Sequence, residues 1–84
     1  MENITEAIAS FRQRIAGKQL PASLRTKVEK EIDECCKTKL DLELMLNSSS
    51  MVKELAHQCS KNFIDEEYRS VAYNLICTAL TPAT

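Results

Sequence analysis

The chain has 84 residues, 44% hydrophobic and 27% charged, with 11 Lys and Arg against 12 Asp and Glu. That length holds one domain and too little buried surface for a deep catalytic cleft, while a single glycine and two prolines are too few for a sheet of tight hairpins. A net charge of −1 supplies no global field toward nucleic acid or acidic membranes, and Glu2 and Glu6 interrupt the only start a signal peptide would have.

Ile4, Ile8, Phe11 and Ile15 recur at steps of four, three and four, which is one face of a helix from about Ile4 to Ala16. Asn3 stands where an N-cap belongs and Gly17 where a helix stops. Arg12, Arg14 and Lys18 lie toward the C-terminal end, where cations suit the helix dipole. Residues 1–20 thus read as an N-terminal helix left open as a peripheral element, and residues 22–80 as the bundle.

Pro21 punctuates a connection, with Ala22 and Ser23 as cap positions. Leu24, Val28, Ile32 and Cys35 or Cys36 then continue at helical spacing. Leu40, Leu42, Leu44 and Leu46 alternate with Asp41, Glu43 and Met45, superficially a strand pattern. Leu, Met and Glu are strong helix formers and no second strand is present to pair, so this stretch reads as helix or turn-plus-helix. Asn47-Ser48-Ser49-Ser50 is the clearest break, with Ser49 or Ser50 capping the next helix. Val52, Leu55, Ala56, Cys59 and Phe63 make the next stripe. Asp65 is the expected N-cap of a last helix carrying Glu66 and Glu67 in its first turn. Tyr68, Val71, Ala72, Leu75, Ile76 and Ala79 form its expected buried face, with Tyr73 off it and Pro82 beyond the end. The expectation is a single all-α domain over residues 1–84, a compact bundle of about four helices.

Little in the chain points to catalysis. His57 is the lone histidine, and residues two apart on a helix point about 200° away from each other, so it cannot pair with Cys59. Cys35, Cys36, Cys59 and Cys77 lack the knuckle spacing of structural zinc sites and fall among apolar residues, where free thiols behave as small hydrophobes. Reduced, metal-free core cysteines and no cofactor are expected. Asp65, Glu66 and Glu67 resemble a carboxylate cluster, but capping and the helix dipole account for them. The chain reads as a non-enzyme.

Glu67-Tyr68-Arg69-Ser70-Val71-Ala72-Tyr73-Asn74-Leu75 resembles the Tyr-Arg-Ser-x-x-x-Asn-Leu run in the last helix of the central domain of the TFIIS family of transcription elongation factors. Val52–Phe63 resembles the helix before it, and Leu24-Arg25-Thr26-Lys27-Val28 the first helix of that domain. Glu66 to Ile76 is similar also to the closing helix of the family's N-terminal leucine/tryptophan domain, a four- or five-helix bundle. The chain has no Trp, and Ser48-Ser49-Ser50 replaces the Ile-Gly step before that domain's third helix. Arg69 is the only basic residue of the final helix, and the zinc ribbon is absent. The resemblance implies a nuclear module that binds RNA polymerase or a transcription factor without cleaving transcripts.

The residues leave two readings of function open. The first is a non-catalytic protein–protein interaction domain of TFIIS type, docking a partner segment in a groove between helices. Arg69, Tyr73 and Phe63 are its candidate partner-binding residues, since Tyr and Arg concentrate binding energy. The second is a self-associating regulatory or structural helical domain of an unrelated family. One helix face cannot bury Leu40, Leu42, Leu44 and Leu46 together, and a homodimer covering Leu42 and Leu46 would resolve that surplus.

Overall fold

Five helices succeed one another in the residues 4–81 that the computed structural model describes: α1 (Ile4–Ile15), α2 (Ala22–Cys35), α3 (Lys39–Leu46), α4 (Ser49–Ser60) and α5 (Glu66–Leu80). No strand occurs among the described residues, so the fold is all-α. Asn3 and Pro82 lie outside the described residues, as does the side chain of Ile4.

The count is five because Lys39–Leu46 is a helix of its own. Cys36 is extended (φ −118°, ψ 140°) and ends α2. Thr38 then restarts the chain through a capping box, its Oγ1 accepting from Asp41 N at 3.1 Å. Asp41 Oδ2 accepts in return from Thr38 N at 3.2 Å and from Lys37 N at 2.9 Å. Those bonds satisfy backbone donors that a helix start leaves open.

The other boundaries come from equally local chemistry. Gly17 ends α1 with φ +92°, a left-handed backbone conformation that costs glycine no steric penalty. Pro21 occupies the N-cap of α2 without a side-chain bond, and its carbonyl accepts from Arg25 N at 2.9 Å. The cap of α4 is Ser48 rather than Ser49 or Ser50, with its Oγ accepting from Met51 N at 3.3 Å. Asp65 caps α5 as expected, Oδ1 accepting from Glu67 N at 2.9 Å and Tyr68 N at 3.5 Å.

α4 and α5, joined by a short turn, form the most extensive helix pair; α2 lies against α4, and α1 against α3. Between them one core gathers Phe11, Leu24, Val28, Ile32, Leu42, Ile76 and Leu80, all fully buried. α1, which the sequence leaves open as peripheral, contributes Ala7, Phe11 and Ile15 to that core. The buried Ser60 is satisfied within its own helix, its Oγ donating to Ala56 O at 2.8 Å.

Two apolar stripes are narrower than the sequence suggests. On α3, Leu42, Met45 and Leu46 are buried, while Leu40 and Leu44 are 58% and 61% exposed on the opposite side. Leu42 and Leu46, which the sequence offers as a dimer seam, both belong to the protomer's own core. On α5, Ala72, Ile76, Ala79 and Leu80 are buried, but Tyr68 and Val71 are exposed and Leu75 is only partly covered. At 100° per residue, positions 68, 71 and 75 lie about a quarter turn from the centre of the buried arc. Sequence spacing merges the two arcs into one face; the packing separates them.

Candidate docking surface on helices α4 and α5

Arg69 and Tyr73 come together. One helical turn apart on α5, they line a concavity of about 350 Å³ with His57, Ser60 and Lys61 of α4 and its C-terminal turn. A second, wider concavity of about 780 Å³ continues toward the N-terminal end of α4, past Lys53 and Glu54. His57 and Tyr73 border both, so the two run together as an open trough along α4 and α5.

Each wall has a simple origin. On α4, Lys53, His57 and Lys61 recur every four residues along the polar side, opposite the buried Val52, Leu55, Ala56 and Cys59. That spacing is a signal for the trough only once α5 is known to lie alongside. On α5, Arg69 Nη2 stands 3.6 Å from Glu66 Oε1, a long, solvent-screened pair that constrains the guanidinium little. Tyr73, placed off the apolar stripe by the sequence, is half-buried against the core. Burial, then Cys77 one turn further on, pushes its hydroxyl above the ordinary value, so the phenol remains a neutral donor and acceptor. Glu54 accepts from Gln58 Nε2 at 3.0 Å. The trough thus presents one phenol, one imidazole and the cations Lys53, Lys61 and Arg69, with two carboxylates already engaged.

Phe63 does not line this trough. Its ring meets Tyr68 edge-on, with centroids 4.8 Å apart and planes at 87°, and Lys27 Nζ of α2 lies 5.1 Å from its centroid. These contacts tie the α4–α5 turn to α2. Tyr68, expected in the core, is instead an exposed partner to this ring.

The four thiols are free: Cys36 and Cys59 are buried, Cys77 is half-buried and Cys35 is exposed, so Cys35 departs from the expected core placement. Burial, aided by the nearby Glu31 carboxylate, pushes the Cys59 thiol up to about 12. Among the described residues no three His, Cys, Asp or Glu side chains are grouped to hold a metal ion. No helix among them is long and apolar enough to cross a membrane.

In comparisons with known proteins, no family model matches the chain, and no curated protein or solved structure matches it significantly.

Proposed function

We propose that this chain is a non-catalytic protein–protein interaction domain, a TFIIS-type module that docks on RNA polymerase or a transcription factor in the nucleus through the α4–α5 trough. The observation that carries the reading is the meeting of Arg69, a residue of the Tyr-Arg-Ser…Asn-Leu run, with Tyr73, which stands at an unspecified position inside that run, on one wall of an open groove. Tyr and Arg are the residue types in which interfaces concentrate binding energy. The surrounding cations Lys53 and Lys61 suit a partner segment that carries carboxylates beside an apolar anchor.

Binding of the purified chain to purified RNA polymerase II, measured by biolayer interferometry, tests this reading. Arg69→Glu is expected to weaken binding about tenfold. Its melting curve should stay close to wild type, because the side chain is only partly covered and its one ion pair is long and solvent-screened. Failure of the wild-type chain to bind polymerase or any fraction of a nuclear extract overturns the TFIIS reading. Normal binding by Arg69→Glu removes the trough as its site.

A further inference from the structure

A second face of α5 lies across the helix from the trough. Tyr68, Val71 and Leu75 succeed one another at steps of three and four, a stripe along one side of α5, and the exposed Ile64 stands just ahead of the helix, before its N-cap Asp65. Ile64 is 98% exposed, Val71 49% and Tyr68 36%, with Leu75 partly covered. An apolar row of this length running beside polar residues is the kind of patch that marks an interaction surface.

The ends of the stripe differ in charge. Its N-terminal end carries Asp65 and Glu67, while Glu66 borders the trough. The last turn of α5 has no basic residue, but Lys18 from the α1–α2 connection stands there and borders a concavity of about 310 Å³ with Val71, Asn74, Leu75 and Thr78. Acid at one end and a cation at the other make the patch complementary to its own inverted copy.

We infer that this face associates with a second copy of the chain, the two α5 helices crossing antiparallel about a two-fold axis near residues 69 and 70. In that register Tyr68 meets Val71 of the second copy, and Leu75 lies toward the segment that leads into the opposite α5. Lys18 then faces the acidic first turn of the opposite α5, Asp65 and Glu67 among its groups. A parallel arrangement would set acid against acid. A two-fold interface repeats every contact, so each charge pair counts twice. The apolar stripe is smaller than the about 800 Å² per partner of a standard interface, so the dimer forms in the micromolar range or weaker. The exposed Leu40 and Leu44 of α3 make a poorer seat, since antiparallel pairing there brings Glu43 against Asp41. The inference stands apart from the polymerase reading, because the trough and the stripe occupy opposite sides of α5.

Sedimentation equilibrium of the intact chain, from about 10 µM to 1 mM, tests it across that affinity range. The expected result is a monomer–dimer equilibrium that Val71→Glu abolishes and Leu44→Glu leaves unchanged. Lys18→Glu and Glu67→Lys should each raise the dissociation constant about tenfold, and the double exchange should restore it to within about threefold. Circular dichroism melts confirm that each variant is folded; all the substituted side chains are exposed or partly so. A monomer throughout the range, a dimer indifferent to Val71→Glu, a dimer lost in Leu44→Glu, or a double exchange that fails to rescue overturns the inference.

Discussion

Arg12 of α1 grips Glu29 of α2 with two parallel bonds, Nε to Oε2 at 3.0 Å and Nη2 to Oε1 at 2.8 Å. The pair bridges two helices across seventeen residues of sequence, with the carboxylate largely shielded and the guanidinium mostly in solvent. Its hydrogen bond to Arg12 holds the Glu29 carboxyl below its ordinary 4.5, against a smaller opposing effect of burial. A carboxyl with a lowered folded-state pKa takes up its proton more readily in the unfolded chain. Its stabilising contribution is therefore complete above the unfolded value and lost as pH falls through the folded one. Glu29→Gln is expected to flatten the acid limb of the stability curve below about pH 4.5. Added salt should shrink the difference from wild type, because the arginine is solvent-exposed. Thermal melts between acid and neutral pH, at low and high ionic strength, check both outcomes.

Asp65→Ala should cost about 1 kcal/mol, since it removes the acceptor for two backbone donors at the start of α5. Asp65→Asn, which keeps a capping oxygen, should recover most of that loss. Chemical denaturation of the two variants gives the comparison directly.

Two apolar residues of α5 should behave in opposite ways. Ile76 is fully enclosed, and Ile76→Ala is expected to destabilise by about 2–5 kcal/mol through lost burial and the cavity left behind. Val71→Ala should stay within about 0.5 kcal/mol, because half of its side chain already faces water. Urea midpoints for the pair measure how far α4 covers the helix.

Thiol labelling should proceed in a fixed order. Exposed Cys35 reacts first with an alkylating reagent at about pH 8, and half-buried Cys77 comes second. Cys36 and Cys59 should react only on unfolding, since burial both shields them and, for Cys59, keeps the thiol protonated to about 12. Mass spectrometry of timed samples reads out the order.

Where a boundary rests on one residue's own chemistry, the sequence is enough. Asp65 with two glutamates after it marks the start of α5, and Gly17 the end of α1, with no knowledge of neighbours. Ser48 against Ser49 is not decidable that way, because adjacent serines offer the same hydroxyl and only backbone conformation selects one. Tyr68 and Tyr73 exchange places for a different reason. Which arc of a broadly apolar helix is covered depends on where α4 crosses it, and this is a tertiary fact absent from the spacing of α5. The trough has the same origin: Lys53, His57 and Lys61 are legible as a polar row, but a row becomes a wall only when Arg69 and Tyr73 lie opposite.

The pairing of α1 with α3 bears on the order in which the molecule assembles. α3 has eight residues, too few to persist as an isolated helix in water, so it acquires its shape only by docking. Its neighbour α1 lies on the far side of α2 in sequence, which makes this contact slow to close compared with the adjacent α4 and α5. The C-terminal hairpin is thus expected to form first, with the N-terminal helix closing over α3 late. In native-state hydrogen exchange, amides of α1 and α3 should open together, at a lower free energy than those of α4 and α5. α4 and α5 would then keep their shape while the opposite end of the bundle breathes.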